Sequence, residues 1–482
     1  MEKTRSVTFN FVMNCILTVS SMIFPLLSFP YVSRVLQPAG TGKVSFAVSV
    51  VSYFSMAAML GVPTYGIRAC ARVRDDKKEL SRTVQEILCL NILMGILAYA
   101  VFFLSLIFVE RFQMERNLFL VVGLTIGFNV IGVEWMYKGL EQYTYITVRS
   151  LIFKAAALIF MFFMIRKPED YVIYGGLTIF ASVGSNLLNF LRLRKYIFLR
   201  PQKPLCLRRH LRPVAVFFAM SVATTVYTNL DTVMLGFMKN DAEVGLYNAA
   251  VKIKSVLVSV VTSLGAVLLP RVSYYVQRGF QEEFERVTKK ALEFVVLIGF
   301  PVAVYFILFA ESGILLLSGP AYQGAVPAMQ MIMPTVFFIG LTNIIGLQVL
   351  VPLGREKIVF YSECAGAVVD VILNAVLIPK MGAAGAAAGT LAAEMAVFAV
   401  QFCCVGGDVR RIFLRLPWRK IFAASVLAAG LSYLTVICFK NNLVILLGSA
   451  VVFWGCYMGC LGLWGEPLLK EMVLRVKNRL GR

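Results

Sequence analysis

The chain has 482 residues, of which 59% are hydrophobic and only 15% charged, with a mean hydropathy of +0.78. A soluble chain carries about a quarter charged residues, so this composition excludes a soluble globular enzyme and leaves a surface that must face lipid. The net charge is +21; in a membrane chain such an excess collects in short cytoplasmic loops, and no nucleic-acid partner is expected.

Lys3 and Arg5 precede an apolar stretch from Phe9 to Phe29. It is too long for the core of a signal peptide and lacks a small-residue cleavage site, so it reads as an uncleaved first span at 9–30. Apolar runs of roughly 20 residues, each able to cross a hydrocarbon core of about 30 Å as a helix, then recur. They lie at 42–63, 86–109, 117–137, 146–165, 171–191, 214–238 and 244–269, and then at 291–317, 326–351, 358–379, 385–406, 421–439 and 443–464. Lipid excludes open sheets, and the alternating ten-residue strands of a barrel are absent. The expected fold is therefore an all-α integral membrane protein of about 14 transmembrane helices.

With the N-terminus inside, and with Lys43 and Arg149 counted in the adjoining loops, inner segments hold 35 of the 47 Lys and Arg residues and outer loops hold 9. Lys154, Lys252 and Lys254 lie within spans. The strongest inner runs are 68–78, 192–212 and 410–420, and both termini are expected in the cytoplasm. No loop is long enough for a catalytic or nucleotide-binding domain, and no phosphate-binding G-x-x-x-x-G-K-[ST] loop occurs. The ten cysteines fall mostly within spans and read as buried reduced thiols. The single histidine, His210, sits in a basic inner loop and reads as solvated. These features call for no cofactor, no metal and no enzymatic activity.

Shifting the chain by 203 residues pairs Gly42 with Gly245, Ala47 with Ala250, Arg68 with Arg271 and Ser28 with Asp231. Six spans separate the paired first and seventh spans, so the repeat is parallel. It divides the chain into two pseudo-symmetric six-helix lobes, 1–200 and 201–410, with spans 13 and 14 and a cytoplasmic tail in 411–482. Polar stripes follow helical spacing: Asn14, Thr18, Ser21 and Ser28; Ser45, Ser49 and Ser52; Ser221, Thr224, Thr228 and Asp231; Asn248, Lys252, Ser255, Ser259 and Thr262. These are corresponding helices of the repeat, as an aqueous cavity between lobes would need. Hydrogen bonding between helices by small polar residues is the rival explanation.

A charge at mid-bilayer costs about 2.5–3.5 kcal/mol on insertion scales, so Lys154, Lys252, Lys254, Asp231, Glu134, Glu363, Asp370 and Glu394 call for a cavity or a partner. Glu363, Asp370 and Asn374 share one face. With Arg34 and Arg68 near span ends, Lys154, Lys252 and Lys254 would make a cavity that attracts phosphate or acidic sugar, lined further by Asn14, Ser21, Ser49, Thr224, Thr228, Asn248, Ser255 and Asn374. Asp231, Glu363 and Asp370 are candidate ion-coupling groups. Pro25, Pro63, Pro301, Pro327 and Pro334 supply helix bends.

Several segments resemble bacterial polysaccharide exporters: Ser33 to Phe46; Gly61-Val-Pro63-Thr-Tyr65-Gly66-Ile-Arg68 with Arg72-Val-Arg74-Asp-Asp76; Glu134 to Glu141; Gly245-Leu-Tyr247-Asn-Ala249-Ala250; and Ile378 to Glu394. The resemblance, from the first span through the twelfth, is to the Wzx-type O-antigen flippases of the multidrug/oligosaccharidyl-lipid/polysaccharide (MOP) exporter superfamily. It implies a MATE/MOP-like fold and alternating access. It further implies translocation of an undecaprenyl-pyrophosphate-linked oligosaccharide across the bacterial cytoplasmic membrane; a proton or Na⁺ gradient, acting on Asp231, Glu363 or Asp370, is a candidate driving force. A polysaccharide polymerase and a chain-length regulator are the expected partners. A multidrug/cation antiporter of the same architecture and a non-transporting scaffold of an envelope polysaccharide assembly complex are the alternatives.

Overall fold

The computed structural model describes residues 7–200, 202 and 205–466; Lys3, Arg5, Lys203 and the tail beyond 466 lie outside them. All regular elements among the described residues are helical. Twelve are long and apolar enough to cross a membrane. One of the twelve, Phe9–Arg72, contains two expected spans, and the shorter apolar helix Arg116–Gly132 supplies another. The fourteen expected segments are thus accounted for.

The first two spans meet without a loop. Helix runs from Val7 to Met59 apart from Gln37, whose φ is 59°. Together with the short helix Val62–Arg72, the 64 residues of Phe9–Arg72 would extend roughly 95 Å if straight. Yet Asn10 near its start and Arg74 just past its end both bond to Glu141, at 3.5 and 2.8 Å. The chain therefore doubles back at Gln37, and the expected loop at 31–41 is one residue. Pro38 begins the returning helix, as proline suits a first helical position.

The chain forms two compact units, divided between Gly245 and Leu246. In the first, the loop ends sort by parity. Lys43, Glu115, Tyr171, Arg111 and Asp241, from loops after odd-numbered spans, interlock: Lys43 pairs with Glu115, Tyr171 donates to Glu115 at 2.7 Å, and Arg111 pairs with Asp241. Loops after even-numbered spans meet elsewhere, through Arg74 with Glu141 and Gln85 with the carbonyls of Phe198 and Arg200. The helix Arg208–Met238 lies antiparallel along the second span, because Gly42 touches Asp241, Gly236 touches Phe46 and Gly61 touches Phe217. Each contact needs a missing side chain, which is how bilayer helices approach closely.

The fourth span breaks at Val133, whose φ is 38°. Carbonyls freed by such a break must find donors in an apolar setting. Asn186 donates to Phe128 O and Asn189 to Gly132 O, at 3.1 and 2.7 Å. In the second unit, helices Glu356–Met381 and Ala383–Cys404 pack tightly: a Cβ on Gly385 would lie 2.5 Å from Leu377 O, and one on Gly389 would lie 2.2 Å from Asn374 Oδ1. Trp418–Cys438 and Asn442–Leu463 complete this unit.

Two expectations are corrected. The ten cysteines are all free, but only Cys70 is buried; Cys456 and Cys460 are half-buried and the other seven are exposed, Cys206 in a loop and six on helices. His210 is buried, at 3% exposure, because it lies in the first turn of helix Arg208–Met238, packed against Glu86 of the third span and Tyr65.

Candidate functional site

In the first unit the polar face of the first span is open. Asn14, Thr18 and Ser21 are exposed, Ser28 is buried, and Lys154 of Tyr143–Met164 reaches across to this helix at Ser20 and Ser21. Its ammonium donates to Ser20 Oγ at 3.0 Å and to Ser21 Oγ at 2.7 Å. Both hydroxyls in turn donate to Leu17 O, so they are oriented as acceptors before Lys154 arrives. The surrounding groove, of about 590 Å³, is otherwise apolar, with Val19, Ile23, Leu151 and Leu158 in its walls. A cation fixed on an apolar floor attracts an anion more strongly than the same cation in water. Of the first-span stripe, Lys154 thus meets Ser21 alone, and Asn14, Thr18 and Ser28 do not line the groove.

Other stripes divide. Thr224 and Thr228 are exposed, each donating to the carbonyl one turn back, at 3.1 and 2.9 Å. Ser255 and Ser259 do likewise at 2.8 Å. Self-satisfied hydroxyls of this kind present oxygen lone pairs without needing a neighbouring helix. On the second span, Ser49 is buried, Ser52 donates to Ser49 O of its own helix at 2.7 Å, and Ser55, outside the stripe, accepts from Asn129 of another helix at 2.9 Å. Asp231 is buried as well.

Arg34 and Arg68 do not converge. Arg34 donates to Pro30 O of its own helix at 2.5 Å. Arg68 lies beyond the returning helix from Pro38 to Met59, roughly 30 Å of rise away. In the second unit Asn248, Lys252 and Lys254 are half-buried on Asp241–Arg278. Asp370 and Asn374 are buried together against Gly389, whereas Glu363, two turns away, is only half-buried. Nearby, Tyr247 and Thr390 share a hydrogen bond at 3.2 Å, and Glu394 is buried.

Two groups escaped the sequence reading. Arg149, counted there with a loop, is buried in Tyr143–Met164, where it donates to Ser185 O at 3.0 Å and pairs with Glu134 at 3.2 Å. Glu134 also binds Lys138 at 2.8 Å, so its charge is satisfied structurally. Glu86, with no exposed surface, accepts from the Cys206 amide, Arg209 Nε and His210 Nε2 at 2.7, 2.6 and 2.7 Å. In that tautomer His210 Nδ1 accepts from the Tyr65 hydroxyl at 2.6 Å. The signal available beforehand was an acid at the mouth of a span facing a strongly basic loop.

The quoted motifs also prove mutually packed: Gly66 sits under the Trp135 ring, where a Cβ would come within 2.5 Å, and Gly139 rests on Ile67 O. Residues 7–276 match the polysaccharide biosynthesis protein family. The chain belongs to that family. A second family, MatE, matches residues 217–376. Among curated relatives of this polysaccharide biosynthesis protein is one from Escherichia coli (strain K12) named "Putative O-antigen transporter". It is 23% identical over 389 residues, 80% of this chain and 93% of the relative. Its solved structural neighbours include a lipid II flippase MurJ in an inward closed conformation, at TM-score 0.73 and 14% identity over 95% of this chain and 100% of that one. An inward-facing MATE-family multidrug resistance transporter of the MOP superfamily follows, at TM-score 0.63 and 15% identity over 84% and 98%. These likenesses give the fold, a MurJ/MATE-like helical bundle.

Proposed function

We propose that this protein is a flippase for a lipid-linked oligosaccharide, carrying an undecaprenyl-pyrophosphate-linked repeat unit from the cytoplasmic to the outer leaflet for surface polysaccharide synthesis. The observation that carries this reading is the likeness, along 389 residues, to a protein named as an O-antigen transporter. The Lys154 groove adds the chemistry: a fixed cation for phosphate beside an apolar wall for a hydrocarbon chain. Lys252 and Lys254 would meet the same anionic head from the second lobe, with Asn248 and Ser255 on their helix. Alternating access of lobes 1–200 and 201–410 would expose the sugar head to either face while the lipid stays in the bilayer, with both termini in the cytoplasm. Asp231, Glu363 and Asp370 would couple the cycle to a proton or Na⁺ gradient.

The test is translocation of a labelled lipid-linked oligosaccharide in proteoliposomes. A charge-assisted hydrogen bond contributes about 1.5–3 kcal/mol, so Lys154→Met should slow translocation at least about tenfold, and Lys252→Ala comparably. Undiminished translocation at equal protein content removes either lysine from the site. The MatE match over 217–376 favours one second reading, cation efflux; ethidium transport by the purified protein, with none of the lipid-linked sugar, would replace the flippase with it.

A further inference from the structure

The second unit holds another cationic cavity, remote in sequence from the Lys154 groove. It lies between the end of helix Asp241–Arg278 and the start of Gln281–Leu308, has a volume of about 420 Å³, and is lined by Arg271, Arg286, Lys290 and Tyr275 over Leu268 and Ala291. Arg271 and Arg286 are exposed. Among the described residues, neither is in an ion pair. The carboxylates on the same helix are turned to other uses or away: Glu285 accepts from Gln281 at 2.9 Å, Glu293 pairs with Lys289 at 3.7 Å, and Glu282 and Glu283 do not line the cavity.

The 203-residue shift allows a comparison with the first unit. The shift that pairs Arg68 with Arg271 also pairs Thr83 with Arg286 and Glu86 with Lys289. In the first unit the acid Glu86 receives a basic segment of the chain itself, through Cys206, Arg209 and His210. In the second unit Lys289 stands in place of that acid and pairs with Glu293 outside the cavity, while Arg286, in place of Thr83, lines it, so no carboxylate at the matched positions meets Arg271 and Arg286. Beside it, Tyr274, Tyr275 and Phe280 cluster with ring centroids 6.0–6.5 Å apart. Aromatic groups of this kind at the end of a span mark headgroup depth.

We propose that this cavity binds the phosphate of a lipid headgroup, with Arg271, Arg286 and Lys290 as cations and Leu268 and Ala291 against the start of the acyl or prenyl chain. Basic pockets between transmembrane helices recognise phosphorylated headgroups in this way. The site is independent of the flippase reading, since its readout is binding and not transport. Purified full-length protein would be titrated with phosphatidylglycerol, undecaprenyl pyrophosphate or inorganic pyrophosphate, and adducts counted by native mass spectrometry. With roughly one decade and a half of affinity carried by two surface cations, R271Q/R286Q should bind its ligand about 30-fold more weakly. R271K/R286K should retain most of the binding. Loss confined to phosphatidylglycerol names a bulk membrane lipid. Loss confined to undecaprenyl pyrophosphate names the cargo, and loss for inorganic pyrophosphate as well shows that the phosphate alone suffices. If R271Q/R286Q melts early, the single Arg286→Gln carries the comparison, with about fivefold loss expected. A variant that melts at the wild-type temperature and binds all three as wild type does overturns the proposal.

Discussion

Glu86 gathers more polar contacts than any residue of the Lys154 groove, and it does so with no exposed surface. Removing one member of a buried charged set leaves the others uncompensated, at about 3–5 kcal/mol. Glu86→Ala is therefore expected to lower the melting temperature in detergent sharply, and Glu86→Gln less so, because the amide oxygen still accepts from the Cys206 amide. Unchanged melting in both would show that the cluster contributes nothing to stability. At this scale the sequence was only partly legible. Lys154 stood out because a lysine in an apolar run has few bland explanations. His210 did not, since nothing local distinguishes a solvated loop residue from one folded against Glu86 and Tyr65. Arg149 was hidden for a similar reason: its partners, Glu134 and Ser185, come from two other spans.

At the scale of elements, glycines decide how closely helices approach. Gly66 has no room for a Cβ, which would lie 2.5 Å from the Trp135 ring, whereas Gly430, inside Trp418–Cys438, has nothing within 4 Å. The same substitution should therefore carry opposite signs. Gly66→Ala overpacks and should destabilise by about 1–3 kcal/mol; Gly430→Ala should be neutral or stabilising by up to about 1 kcal/mol. Thermal unfolding of the two single variants checks both, and equal shifts would refute the packing argument. Helix existence was readable from hydropathy because a span must bury its own backbone bonds. The turn at Gln37 and the break at Val133 were not readable. Neither residue favours positive φ, so each is held there by surrounding contacts, including the Asn186 and Asn189 donors that satisfy the fourth span's carbonyls.

For the whole molecule, the sorting of loops by parity in the first unit agrees with the alternation that the lysine and arginine census requires. The census further assigns the basic ends to the cytoplasm. In a cysteine-free background, a cysteine replacing Lys167 should react with an impermeant maleimide added outside the cell. One replacing Lys195 should react only after permeabilisation. Reaction of both from outside would break the fourteen-span topology, and the reverse pattern would invert it. The number of spans was present in the sequence, because lipid imposes length and hydropathy on every segment separately.

The sequence by itself determined that this is a membrane helix bundle, how many times it crosses, and which lysines stand in apolar surroundings. Each of those is a property of one segment in its solvent. Only the tertiary structure decided that Lys154 rests on Ser20 and Ser21, that Arg34 and Arg68 lie on either side of the helix from Pro38 to Met59, and that Glu86 anchors the segment 206–210. Those outcomes depend on which helix lies beside which, and pairing between apolar helices is set by shape and by missing side chains that periodicity does not encode.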